Sequence, residues 1–370
     1  MTFSRMDDPS VPPPPSPPPS PPDSSKTESP ITHSDEWWFW DGNIVVIAED
    51  TAYRVHKGVL SLHSEVFKDM FQIGQQSSAE TFEDCLMVHV SDTASDFSLI
   101  LKIIYFGGQT CYLEKDSVLE LSTIQTMFVL GRKYNIPYIH RDALRRLHIY
   151  FPTTLREWDS EQSPITPRRN PRDGTRRPSI EVNIISMIRL FKVARMFDDL
   201  RFVLPMTMLW CAVLQPRQII MGIEDKGDVR EVFTLEEQDY ILRFKEDMNQ
   251  VIRGIPNIFH NIVRGAATDP SRRFCDAFGS CGIPGCDIAQ EEYIKSALSM
   301  IEGYKNWSPL QLWRKLIGIM ECTKESPAMV ACKGCEKRIL SALKMARNDA
   351  WNAIGIRLEV PDWGELPLKD

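Results

Sequence analysis

The segment from residue 41 to 71, DGNIVVIAEDTAYRVHKGVLSLHSEVFKDMF, constrains the fold of this chain more than any other. It begins with a β-branched apolar run, Asn43–Ala48, a polar turn and a second short run, Tyr53–His56, which together predict a β-hairpin. Apolar residues then recur at three- and four-residue steps, the spacing of two short amphipathic helices: Val59, Leu60, Leu62, Val66, Phe67, Met70 and Phe71. A hairpin capped by two helices is a packing unit, so this segment predicts a scaffold rather than an active site.

These residues resemble the opening of a BTB (POZ) domain. The matching runs are Asp41-Gly42-Asn43-Ile44, Tyr53–Leu60 with its Val-His-Lys, and Ser64–Phe71, which reads Ser-x-x-Phe-x-x-Met-Phe. The resemblance continues through a strand at Met87–Val90, a helix at Asp96–Tyr105 and the run Met127–Ile136. It implies an α+β fold, in which a small sheet packs with helical hairpins. It also implies a protein-interaction module that usually self-associates and has no catalytic activity.

Composition divides the 370 residues into four segments. We expect a disordered proline-rich arm at 1–34, the BTB/POZ domain at 35–152, a basic flexible linker at 153–178 and a mainly α-helical C-terminal region at 179–370. In the arm, Val11–Pro22 is nearly all proline and serine, which favours an extended conformation and cannot bury a core. The arm is either an unstructured tail or a ligand for SH3, WW or profilin-type grooves.

The linker carries a cluster of arginines: Arg168, Arg169, Arg172, Arg176 and Arg177. A solvated basic loop explains them, and a nuclear-import patch or a kinase site at Ser179 are the alternatives. The net charge of −7 predicts no general attraction to nucleic acid or to acidic membranes. The N-terminus lacks a signal pattern, and the most apolar stretch, Phe202–Leu214, is too short to span a bilayer. We therefore expect an intracellular protein, cytoplasmic or nuclear, with no membrane partner.

The C-terminal region shows helical periodicity in several stretches. These are Ile180–Phe197, Phe202–Leu214, Leu235–Arg253 and Ala331–Gly355. Thr234 is the predicted N-cap of the third stretch, and Glu237 completes a capping box. The ending, with Cys332-x-x-Cys335, Arg347-x-x-x-Trp351 and Pro361-x-Trp363-x-x-Leu366, resembles the tail of BTB proteins expanded in mushroom-forming (basidiomycete) fungi.

An aromatic run precedes the first predicted strand. Trp37, Trp38 and Trp40, with Phe39 between them, would form an adhesive apolar patch if they were exposed. Packing within one chain is one interpretation of this run. The other is contact with a second copy, and we take the three tryptophans as candidate interaction residues.

Cysteine is the strongest candidate for metal chemistry. Cys275, Cys281 and Cys286 lie in one glycine-rich loop, and Cys332 and Cys335 form a Cys-x-x-Cys. Two thiolates from each group could hold zinc tetrahedrally. The loop spacings differ from a compact zinc knuckle, and one cysteine would be spare. Structural thiols and a redox pair therefore remain alternatives, and no cofactor is required. The nine cysteines are an odd number scattered among helices, unlike a disulfide framework.

The sequence thus favours a non-enzymatic interaction protein that homodimerises through its BTB domain and acts as an adaptor or scaffold for protein partners. A substrate adaptor of a cullin-type ubiquitin ligase is an alternative. Cullin-binding relatives often carry a hydrophobic-x-Glu element after the Met-Phe, whereas Gln72–Ala79 is polar here. An alternative from another class is a metal- or thiol-dependent enzyme within residues 179–370.

Overall fold

The computed structural model describes residues 31–73, 81–83, 85–107, 117–159, 180–224, 230–264, 295, 299, 333–360 and 363. Its N-terminal part holds a five-stranded curled sheet of order β1-β3-β2-β5-β4. The strands are β1 (Thr32–Trp38), β2 (Ile44–Ala48), β3 (Thr51–Val55), β4 (Thr81–Phe82) and β5 (Cys85–Val90). The predicted hairpin is β2–β3, which is antiparallel, and β5 lies parallel to β2 on its other side.

Six helices are described in this part. They are α1 (Lys57–His63), α2 (Glu65–Ile73), α3 (Ala94–Phe106), α4 (Leu121–Lys133), α5 (Pro137–Tyr150) and α6 (Leu155–Asp159). Pro137 opens α5, where its missing N–H costs nothing, and α4 ends before it, at Lys133. The side chains of Ile44, Val46, Phe67 and Phe97 are completely buried between the sheet and these helices.

The sheet has a second apolar face, which carries its own small cluster. Val45, Ile47, Ala52 and Cys85 form this cluster, and Trp38 and Phe82 cover it. The sequence does not predict β1, which brings Trp38 to this position. β1 pairs in parallel with β3 and begins at Thr32, inside the segment expected to be the disordered arm.

The helical half of the described chain comprises residues 180–363. Its elements are β7 (Ile180–Glu181), α7 (Ile184–Met196), a 3-10 helix (Asp198–Val203), α8 (Leu204–Ala212), α9 (Pro216–Met221), β8 (Ile223–Glu224), β9 (Arg230–Glu231), α10 (Leu235–Arg264) and α11 (Lys333–Arg357). The predicted capping box is present. The Thr234 N–H donates to Glu237 Oε2 over 2.8 Å, and the Glu237 N–H donates to Thr234 Oγ1 over 3.2 Å. The α+β class with a mainly helical second region is confirmed.

The two parts share one continuous hydrophobic core. A short strand, β6 (Leu119–Glu120), pairs in parallel with β7. The Gln125 side-chain amide donates to the Ser186 carbonyl over 2.6 Å. Trp158 of α6 lies 6.2 Å from Trp351 of α11, measured between ring centroids. α6 falls within the predicted linker, and its Trp158 belongs to the core that the two parts share.

Within the described ranges, no helix combines the length and the apolar character that a bilayer span requires.

Candidate interaction surface

The three candidate tryptophans occupy three different environments. Trp37 is completely buried, and its indole N–H donates to Ser98 Oγ of α3 over 2.8 Å. Its ring also lies 5.6 Å from that of Tyr105. The expectation that Trp37 contacts a partner therefore needs correction, because its whole side chain is used in holding β1 against α3.

Trp38 points to the other side of the sheet. Its ring stacks on His33 at 3.8 Å and meets Phe82 edge-on at 6.3 Å. His33 Nε2 lies 3.5 Å from Glu83 Oε1, just beyond β4. β1 and β4 are opposite edge strands, so these contacts join the two edges across the outer face. Trp38 is half-buried in this role and keeps part of its surface accessible.

Trp40 is the exposed member of the run, with 87% of its surface accessible. The turn that carries it is fixed to the start of α1 by two contacts. The Lys57 N–H donates to Asn43 Oδ1 over 2.8 Å, and His56 Nε2 lies 3.2 Å from Asp41 Oδ1. The backbone that carries Trp40 is therefore held close to the start of α1.

Leu62, near the end of α1, is 82% exposed. Leu60, two positions earlier on the same helix, is completely buried, so the apolar residues of α1 do not all lie on its buried face. Positions two apart on a helix point in different directions, and that spacing could have revealed the exposure. Val59 on the same helix and Val66 on α2 are half-buried. We call Trp40, Val59, Leu62 and Val66 the α1 surface.

His56 immediately precedes α1 and lies in a hydrogen-bonded position. Its Nδ1 is 3.1 Å from Tyr105 Oη, and its backbone N–H donates to the same oxygen over 2.9 Å. Asp41, His56 and Tyr105 are thus aligned like a proton relay. Burial raises the pKa of Tyr105 above its ordinary value, so the phenol stays protonated and is no nucleophile near neutral pH. The arrangement holds the start of α1 against α3 and against the turn at Asp41.

The comparison with protein families agrees with this geometry. A family model of the BTB/POZ domain matches residues 34–147. This segment is a BTB/POZ domain. Such domains are protein–protein interaction modules and are typically non-enzymatic. The chain matches no curated protein and no solved structure, so the resemblance of its tail to fungal BTB proteins stays a prediction.

The predicted cysteine site cannot be placed on the described part of the chain. Cys275, Cys281, Cys286 and Cys332 lie outside the described residues, and Cys335 is described only as a backbone position in the first turn of α11. Among the described residues, no group of three or more His, Cys, Asp or Glu could hold a metal ion. The zinc site therefore stays a prediction.

Two other cysteines are described, and both are buried free thiols. Cys85 belongs to the cluster on the outer face of the sheet, and Cys211 is completely buried in α8. Burial raises the pKa of the Cys211 thiol well above its ordinary value. The thiolate is the reactive form of cysteine, so Cys211 acts as a small apolar core residue.

Proposed function

We propose that this protein is a non-enzymatic adaptor or scaffold, whose BTB domain pairs with a second copy through the α1 surface. The exposure of Trp40 and Leu62 carries this proposal. Both are large, exposed apolar side chains of the BTB domain: Leu62 lies on α1, and Trp40 lies in the turn that Asp41 and Asn43 join to the start of α1. Burying such a side chain stabilises an interface by about 1.5–3 kcal/mol. In a two-fold dimer the same patch is present on both subunits, so each contribution counts twice.

Sedimentation velocity of the full chain at micromolar concentration tests this proposal. The full chain is required because the BTB domain and the helical half share one core. We expect a dimer for the wild type and a monomer for the double variant Trp40→Ser/Leu62→Ser. Ile220→Ser is a matched control, because Ile220 is an exposed apolar residue on α9 in the helical half. A monomeric wild type, or a double variant that dimerises as well as the control, would refute the proposal.

Binding to a cullin scaffold is a second partner interaction that BTB domains commonly show. Most of the segment Gln72–Ala79, where a hydrophobic-x-Glu element is expected, lies outside the described residues. The polar sequence there favours a scaffold that does not depend on a cullin. We further propose an intracellular location, which the odd count of nine cysteines, unlike a disulfide framework, supports. Titrating the full chain with the N-terminal domain of a cullin tests cullin binding directly, and micromolar affinity would favour the cullin-adaptor alternative.

A further inference from the structure

A charged cluster lies where the BTB domain meets the helical half. Asp199 of the 3-10 helix accepts a hydrogen bond from Arg132 Nη1 of α4 over 2.8 Å. His140 Nε2 of α5 lies 3.5 Å from the same carboxylate oxygen, Oδ2. The His140 ring is one-fifth exposed, but its Nε2 atom is sealed from solvent and makes no hydrogen bond to the described residues. Asp199 Oδ1 is likewise sealed from solvent and makes no hydrogen bond to the described residues.

Aromatic rings hold this cluster together. The His140 ring lies 4.8 Å from Phe128 of α4, and Phe128 meets Phe197 edge-on at 5.4 Å. The Arg132 guanidinium lies over the Phe197 ring at 4.9 Å. We call His140, Arg132, Asp199, Phe128 and Phe197 the junction cluster. Phe197 immediately precedes the 3-10 helix, so the cluster joins that helix to both α4 and α5.

The backbone that carries His140 is held within the BTB domain. α4 and α5 approach so closely at Gly131 that an added Cβ would lie 2.8 Å from the His140 backbone nitrogen. The backbone of His140 is therefore fixed against α4. Since Nε2 is sealed from solvent, water reaches a charge on that atom only when the ring turns outward or the 3-10 helix moves away.

The closed junction disfavours that charge. The pKa of His140 is lowered, first by burial of the ring and then by Arg132, while Asp199 opposes the shift. These two are the charged groups that face His140 from α4 and from the 3-10 helix. On α5 itself, His148 lies two turns after His140, and its ring stacks on Phe202 at 3.8 Å. Protonation of His140 consequently costs more in the closed junction than in water.

We propose that the junction cluster is an acid-sensitive latch, which releases the 3-10 helix from the BTB domain when His140 is protonated. The release is local. The β6–β7 pair and the hydrogen bond from Gln125 to Ser186 hold the start of the helical half independently of the cluster. Opening therefore moves the end of α7 and the 3-10 helix about this anchored start, and it uncovers the rings of Phe128 and Phe197.

Amide hydrogen exchange of the full chain, corrected for the intrinsic effect of pH, tests the latch. The Leu200 N–H donates to the Phe197 carbonyl over 3.0 Å, within the 3-10 helix. It reports opening because a helix of only six residues frays in water once its packing against the BTB domain is lost. Between about pH 7.5 and about pH 5.5, where histidine titrates, we expect its protection to fall in the wild type. The limiting loss is about tenfold for each unit by which closure lowers the pKa of His140.

Three variants decide the assignment. His140→Gln should abolish the pH dependence of Leu200 protection. Arg132→Gln removes a charge that disfavours imidazolium, so it should weaken the pH dependence even though it loosens the junction at every pH. His148→Gln, a histidine at the same junction, should retain it. An unchanged pH dependence in His140→Gln, or its loss in His148→Gln, would overturn the proposal, as would a wild type whose Leu200 protection does not change with pH.

Discussion

Replacing Phe67 with alanine should be among the most damaging single changes to the BTB domain. Phe67 is completely buried and stacks on Tyr134 with ring centroids 4.4 Å apart and planes inclined by 13°. Its ring also lies 5.8 Å from Phe71 and 6.2 Å from Phe97. Phe67→Ala therefore removes a ring that α2, α3 and the end of α4 all contact, and it leaves a cavity that these elements must share.

The expected loss of unfolding free energy follows from the complete burial of the Phe67 ring. A buried phenylalanine replaced by alanine costs about 3–5 kcal/mol, as the sum of lost transfer free energy and of the cavity. The upper part of that range is favoured here, because Tyr134 is itself fixed. Its hydroxyl donates to Asp92, and its carbonyl accepts from Ser64 Oγ over 2.5 Å. A neighbour held at two points cannot easily collapse into the space that Phe67 vacates.

Urea denaturation of the full chain, followed by circular dichroism, measures this loss as a shift of the midpoint at unchanged slope. Ile356→Ala is the matched control. Ile356 lies on α11, outside the α1 surface, and its side chain is 78% exposed, so the change should stay within about 0.5 kcal/mol. If Phe67→Ala kept wild-type stability and lost self-association instead, Phe67 would be a binding residue and the assignment of the core would be wrong.

Three further predictions concern the rest of the chain. Thr234→Ala should lower the unfolding free energy by about 1 kcal/mol, since it removes the hydroxyl that caps α10, and Thr234→Ser should restore most of that loss. Limited trypsin digestion should cut first within Arg168–Arg177, and protection of that stretch would mean that it docks. Metal analysis should find zinc well below one atom per chain if Cys332 and Cys335 are packing thiols. Stoichiometric zinc, with loss of helix on chelation, would establish the metal site instead.

Local patterns were sufficient to predict the elements that depend on neighbouring residues. The β2–β3 hairpin follows from two apolar runs separated by a polar turn. The capping box of α10 depends on Thr234 and Glu237, three positions apart, and both of its hydrogen bonds form. In each case the interacting groups are close in sequence, so the pattern contains the whole interaction.

β1 could not be predicted because its support is distant in sequence. Thr32–Trp38 has no alternation of apolar and polar residues, and it is held by pairing with β3 and by the contacts of Trp37 and Trp38 with α3 and β4. The junction cluster was missed for the same reason. His140 and Asp199 are 59 positions apart, and each alone reads as an ordinary surface residue on a helix. The arginine-rich segment between the two halves predicts a flexible linker, so the sequence gives no indication that the halves share one core.

The α1 surface and the junction cluster should act independently, although hydrogen bonds run between their elements. Ser64, between α1 and α2, donates to the carbonyl of Tyr134, two residues beyond Arg132, and His63 of α1 is hydrogen-bonded to Tyr138 of α5 over 3.0 Å. These contacts end on α5 and at the end of α4, whereas opening of the latch moves the 3-10 helix. The double variant Trp40→Ser/Leu62→Ser should therefore lose self-association and keep the wild-type pH dependence of Leu200 protection. If that pH dependence changed with the loss of the dimer, the two surfaces would be coupled through α4, and partner binding would itself control the latch.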